Sequence, residues 1–345
     1  MLERNLVDYV ISRRQALKLS LVVVSGLATA CSADATIGAD GAHPAVTPEA
    51  GAYPVTISHR HGATTIHRAP TRIAVIGIGD ADVLLALGVI PALVPVWRGS
   101  TDDGIGAWAE SALGARQVPA LSEATTDFSV EAVAAVRPDL ILAVNNAIDA
   151  TVYQQLSAIA PTVLRAAEHR DWVLPWDEVT TRIGQAVGLP GRAQELVTDV
   201  RNRLAGARTA HPEFAGRTAT LVIRWPSGQF RVFAPESARF QILSALGFVP
   251  PPALSGAFAN GLYQELSTEL LERIDADVIV VDNWDRDRER IESNPLFPTL
   301  AAVREGRVVK LDAITSDAIS MPNPLTIPFA LDELVDRLRA IELPN

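Results

Sequence analysis

A chain of 345 residues, 48% of them hydrophobic, can build two domains of ordinary size around substantial cores. A formal net charge of −10 argues against a nucleic-acid partner, which needs a basic footprint. Cys31 is the single cysteine, so an intrachain disulfide is excluded.

Arg13, Arg14 and Lys18 precede Leu19–Ala30, an apolar run too short for a comfortable membrane span. Residues 12–18 resemble a twin-arginine export signal, with Ala16 where Phe is usual. Leu27–Cys31 resembles a bacterial lipobox, with Ala28 where Leu is usual. Residues 1–30 are therefore expected to be an export signal, and Cys31 to carry a lipid. Residues 31–52, rich in Ala, Gly, Pro, Ser and Thr, read as a flexible tether.

Tyr53–His67 alternates around Gly62 and reads as a β-hairpin. His59 and His61 would share a strand face, and an exposed hairpin is the expectation there over a metal site. Arg72–Ile76 is a short buried strand, and Gly77-Ile78-Gly79-Asp80 turns into a helix ending at Gly88. Asp82 stands where a dinucleotide fingerprint would need its third glycine, so the turn is not a phosphate cradle. Strands at Ala92–Val96 and Asp139–Val144 alternate with helices at Ser129–Val136, Asp149–Ile159 and Trp176–Val187, the pattern of a parallel α/β sheet.

Arg192–Ala210 carries Ala193, Leu196, Val197, Val200, Leu204 and Ala207 on one stripe of a 3.6-residue period. Gly188 and Pro190 punctuate its start and Pro212 stops it. A helix over 190–211 would span roughly 30 Å, enough to join two lobes. The α/β pattern then restarts: strands at Thr218–Arg224, Phe230–Phe233, Asp277–Val281 and Arg307–Leu311, with helices between them and a closing helix over Pro324–Ile341. The expected organisation is a first lobe over 53–189, a bridging helix over 190–211 and a second lobe over 212–345.

Ser129–Ile141 aligns without a gap on Ser267–Ile279. In each copy Ser can cap a short helix, Glu131 or Glu269 falls in its first turn, and a strand beginning Asp-apolar-Ile follows. Two copies imply two similarly built lobes. Dipole compensation explains either glutamate alone; as a matched pair they suggest an acidic docking surface for arginines.

These features together resemble the substrate-binding proteins of ABC importers for ferric siderophores, haem and cobalamin. The resemblance rests on the lipobox, Pro70–Val75, Asp80–Val89, Ser129-Val130-Glu131 with Pro138–Ile141, the central helix, and Leu266–Glu269. It implies two Rossmann-like α/β lobes bridged by one long helix, with the ligand cleft between them. It further implies docking of Glu131 and Glu269 onto the ABC permease. A lipid-anchored monomer that carries a ferric siderophore, without enzymatic activity, cofactor or resident metal, is the expectation. Haem or cobalamin is the alternative ligand, with Tyr263 or His169 as possible axial ligands for haem.

Ligands of open α/β sheets bind beyond the carboxyl ends of the strands. That rule selects Gly77–Asp80, Trp97-Arg98 and Asn145-Asn146 in the first lobe. In the second it selects Arg224-Trp225, Asn283-Trp284-Asp285-Arg286 and the loop Thr315–Asn323, with Arg231, Phe258 and Tyr263 within reach. Three of these stretches set Trp beside or near Arg, a flat apolar surface with a donor fork suited to chelator oxygens. An exported hydrolase is the competing class, and no G-x-S-x-G, S-x-x-K or H-E-x-x-H motif supports it.

Overall fold

The computed structural model describes residues 47–96, 104–116, 120–121, 128–225, 229–258, 261–282 and 291–344. Expectations at Arg13, Arg14, Cys31, Trp97, Arg98, Trp284 and Arg286 lie outside the described residues. The described residues all fall within one compact unit.

The hairpin forms as expected, with β1 (Val55–His59) and β2 (Gly62–Ile66) paired antiparallel from Val55↔Ile66 to His59↔Gly62. His59 and His61 do not share an exposed face. His61 lies in the turn, while His59 is buried beside Thr64 and Tyr153. The Thr64 hydroxyl donates to the Thr162 carbonyl at 2.6 Å, so it must accept from His59 Nε2 at 3.0 Å. His59 Nδ1 accepts the His61 amide at 3.3 Å. These partners select the neutral Nε2–H tautomer, and burial lowers the pKa to about 4.

The first lobe runs β3 (Ile73–Val75), α1 (Asp80–Ala86), β4 (Val94–Pro95), α2 (Glu110–Leu113), β5 (Ala120–Leu121) and α3 (Val130–Ala135). It continues through β6 (Leu140–Ala143), α4 (Ala150–Ile159), β7 (Thr162–Leu164) and α5 (Trp176–Ala186). Strands β3, β6 and β7 form a parallel sheet in the order β3-β6-β7. β4 pairs in parallel with β5, and a bridge from Leu93 to Ala74 ties that pair to β3. Every residue of β3, β6 and β7 is buried, as strands covered on both faces must be.

The bridging element is α6 (Pro190–Ala210), 21 residues long with proline in its first turn. The predicted stripe is its packed face: Ala193, Val197 and Val200 are buried, and Leu196, Leu204 and Ala207 are half-buried. Val197 and Val200 cluster with Trp176 of the first lobe and Ile327 of the second. Residues 47–52, expected to belong to the tether, are instead tied to this helix. Glu49 accepts the Gly191 and Arg192 amides at 2.8 and 2.9 Å, satisfying two donors that a helix start leaves open.

The second lobe runs β8 (Ala219–Arg224), β9 (Phe230–Phe233), α7 (Gln241–Leu246), β10 (Tyr263–Leu266), β11 (Val278–Val281), α8 (Ala301–Arg304), β12 (Val308–Lys310), α9 (Ala313–Ser320) and α10 (Thr326–Arg339). Its sheet has the order β10-β9-β8-β11-β12. β11 runs parallel to β8 and β12, while β9 runs antiparallel to β8 and β10. The lobes are thus alike but not equivalent. The connection from β8 to β9 is too short for a crossover, so the second lobe carries an antiparallel edge.

The sequence repeat has a shared physical job. Asp139 accepts the Thr71 and Arg72 amides just before β3, and Asp277 accepts the Thr218 amide just before β8. Each aspartate therefore locks the start of its own strand to the parallel neighbour. The two serines differ. Ser129 caps α3 by accepting the Ala132 amide at 3.1 Å. Ser267 makes no such cap on the 3₁₀ turn Thr268–Ile274, and its side chain bonds the Glu269 carboxylate instead.

Candidate ligand cleft

The chain leaves β3 through Gly77-Ile78-Gly79 and enters α1 at Asp80. Asp80 is fully buried and turns its carboxylate back over Gly77, where a Cβ would lie 1.9 Å from Oδ2. Glycine is therefore required at 77, and Gly79, at φ +80, takes the left-handed turn. Asp80 accepts the Val144 amide at 2.8 Å and the Asn145 amide at 3.3 Å, fixing the loop that follows β6. Burial pushes its pKa up to about 7 against these two amides, and the neighbouring Asp82 raises it further.

Asp82 faces another way, as expected for two carboxylates two apart at a helix start. It accepts Trp108 Nε1 at 2.8 Å and, from the second lobe, Asn323 Nδ2 at 2.9 Å. Burial raises its pKa to about 6, and these two donors oppose the rise. Asn145 donates to the Ile78 carbonyl and reaches Met321 Sδ at 3.3 Å. The lobes are thus joined by a floor of polar contacts beneath the cleft.

Above this floor lies a cavity of about 350 Å³. The first lobe contributes Ile78, Gly79, Asn145, Trp172, Leu174 and Val179. The second contributes one face of the β8–β9–β10 meander, with Ile223, Trp225, Arg231, Phe233 and Tyr263, together with Arg239 and the segment Ser320–Asn323. An apolar, aromatic cleft with a few polar groups between two lobes is the ordinary form of a small-molecule site.

Asn145, Trp225, Arg231 and Tyr263 line the cavity. Arg224 does not. Successive strand residues point to opposite faces, so Ile223 and Trp225 turn inward while Arg224 lies over the Phe230 ring. Asn146 serves the fold by donating to the Ile76 carbonyl, and Phe258 packs on the second-lobe core. His169 is bound to Glu178 at 2.7 Å and does not line the cavity; of the two candidate haem ligands Tyr263 alone does. Thr315 belongs to a helix and not to a loop, because Asp312 caps α9 by accepting its amide. Glu131 and Glu269 are both exposed, each in a first helical turn and each bonded to the serine two residues before it.

Trp172, Phe233 and Arg239 line the cavity without having been singled out in the sequence, whereas Met321 falls within the selected stretch Thr315–Asn323. Trp172 sits at φ +67, a strained conformation for a bulky residue, held at the cavity wall. Arg239 donates to buried Asp282, which also accepts the Ser316 hydroxyl. Arg231 lies between two rings, its guanidinium carbon 3.3 Å from the Trp225 centroid and 4.2 Å from that of Tyr263. Its Nε donates to Glu265 at 2.9 Å.

Two α/β lobes on a continuous helix, enclosing an aromatic cleft, define the architecture of a two-lobed solute-binding protein. The chain belongs to the periplasmic binding protein family, whose profile matches residues 73–315. It is 28% identical over 273 residues to the probable siderophore-binding lipoprotein YfiY of Bacillus subtilis (strain 168), covering 75% of this chain and 80% of that protein. It is 29% identical over 270 residues to the Fe(3+) dicitrate-binding periplasmic protein FecB of Escherichia coli (strain K12), covering 76% and 84%. A periplasmic solute binding protein from Mycobacterium smegmatis superposes with a TM-score of 0.74 at 31% identity, over 83% of this chain and 98% of that one.

Proposed function

We propose that this protein captures a ferric siderophore outside the cytoplasm and hands it to an ABC permease for iron uptake. It is exported, anchored at the outer face of the membrane through a lipid on Cys31, and works as a monomer. It holds no resident cofactor and makes or breaks no bond; its action is binding, a small closure and docking. The observation that carries the reading is the interlobe cavity walled by Trp172, Trp225, Phe233 and Tyr263, a surface suited to the organic shell of a metal chelate. The ligands named for YfiY and FecB, a siderophore and ferric dicitrate, support the chemical class over haem.

Glu131 and Glu269 dock onto arginines of the permease, one from each lobe. Full exposure, and backbone N–H and serine hydroxyl donors that hold both carboxyl pKa values below the ordinary range, support this role. The test of the main reading is a tryptophan-quenching titration of the mature protein with ferric siderophores, haem and cobalamin in parallel. Saturable quenching by a ferric siderophore at micromolar or lower concentration is expected. Binding of haem alone, or turnover of a chromogenic ester without binding of any chelate, overturns the reading.

A further inference from the structure

Two guanidinium groups line the described part of the cavity, those of Arg231 and Arg239. Each meets a carboxylate of the protein. Arg231 faces Glu265 directly across the β9–β10 ladder, since these residues are register partners, with Nη2 2.8 Å from Oε1. Arg239 is paired with Asp282, whose side chain is wholly buried. A cation already matched by an anion offers hydrogen bonds but little net field to a ligand.

The faces of the Arg231 guanidinium are also occupied. Trp225 follows β8 and Tyr263 opens β10, so the two rings flank Arg231 from the strands on either side. Its Nε and Nη2 go to Glu265, which leaves edge N–H groups as what it presents to the cleft. A polyanion entering this site would lose hydration and meet Glu265 and Asp282 behind the guanidinium groups, with aromatic walls around it. An uncharged chelate with carbonyl-type oxygens would accept the edge donors and cover the rings at no such cost.

We infer that this cleft selects ferric chelates of zero net charge with an apolar periphery, the tris-hydroxamate class, over polyanionic catecholates and citrates, and that Glu265 sets the choice. This rests on the siderophore-capture reading above. Glu265 is a specificity-determining residue that acts through Arg231, and it is placed for that role by the strand register.

The test is isothermal titration of the mature protein and of Glu265→Gln with three probes. These are a neutral ferric tris-hydroxamate, a trianionic ferric tris-catecholate and ferric citrate. The wild type is expected to bind the hydroxamate at least tenfold more tightly than either anion, with little change between 50 and 500 mM salt. Glu265→Gln frees the Arg231 charge, so the ratio of catecholate to hydroxamate affinity should rise at least fivefold. Equal or tighter binding of an anionic chelate by the wild type overturns the charge inference and leaves iron capture standing. A ratio of catecholate to hydroxamate affinity unmoved by Glu265→Gln overturns the role of Glu265. Absence of binding by all three probes overturns the inference together with the reading beneath it.

Discussion

Asp80→Asn should invert the way stability responds to pH. Asp80 is wholly buried, and its carboxyl pKa is pushed from 3.8 to about 7. A raised folded-state pKa means that the folded protein binds more protons than the unfolded chain between these values. Stability therefore falls as pH rises through that window. For a single group with those two pKa values the loss between pH 5 and pH 8 is roughly 2–3 kcal/mol. Asparagine removes the charge and keeps an oxygen for the Val144 amide, giving up the longer contact to Asn145, worth about 1 kcal/mol. The variant is expected to be slightly less stable than wild type at pH 5 and more stable at pH 8. Urea denaturation of both proteins at several pH values reads the gap directly. Taking the difference matters, because neutral, buried His59 acts in the opposite sense, its pKa lowered to about 4 so that acid destabilises the fold. Parallel stability–pH curves for the two proteins, or a gap that closes towards pH 8, would refute the reasoning.

Three further outcomes are expected. Trp225→Ala removes one ring from the Arg231 stack and a wall of the cavity, and should weaken ferric siderophore binding about tenfold by titration calorimetry, with thermal stability little changed. The double variant Glu131→Ala and Glu269→Ala should abolish iron uptake in cells while leaving chelate affinity within twofold of wild type; a matching fall in affinity would assign these residues to the fold or cleft. Solution scattering should show almost no change in radius of gyration on saturation with ligand, whereas a large contraction would contradict a continuous α6 as the bridge.

The bridging helix was legible because burial has a period. Ala193, Val197 and Val200 recur on the helical repeat, and no partner needs to be known to read them. The cleft was legible only where it lies at strand ends, which is how Asn145 and Trp225 could be picked out. Arg224 failed for a local reason: it neighbours Trp225 in sequence and opposes it in space. Trp172 gives no periodic signal, since it sits in a turn at a left-handed φ. Arg239 lies in a 3₁₀ turn between β9 and α7. The least legible property is the charge balance of the site. Arg231 is visible in the sequence, but its neutralisation by Glu265, 34 positions later, requires the pairing of β9 with β10.

The contacts under the cleft explain how much such a protein can move. A long helix bends sharply only at proline, paired glycines or a bulge, and past its opening proline α6 has only Gly191 in its first turn and the isolated Gly206. The floor adds a second restraint. Asn323 reaches from the second lobe to Asp82, which also holds Trp108, and the Trp108 ring meets Phe329 edge-on at 6.1 Å. Opening the cleft widely would strip a buried carboxylate of a donor, and removing a partner from a buried ionised group costs more than the bond's net worth. Helix and floor each join the two lobes, so they restrain a wide opening together.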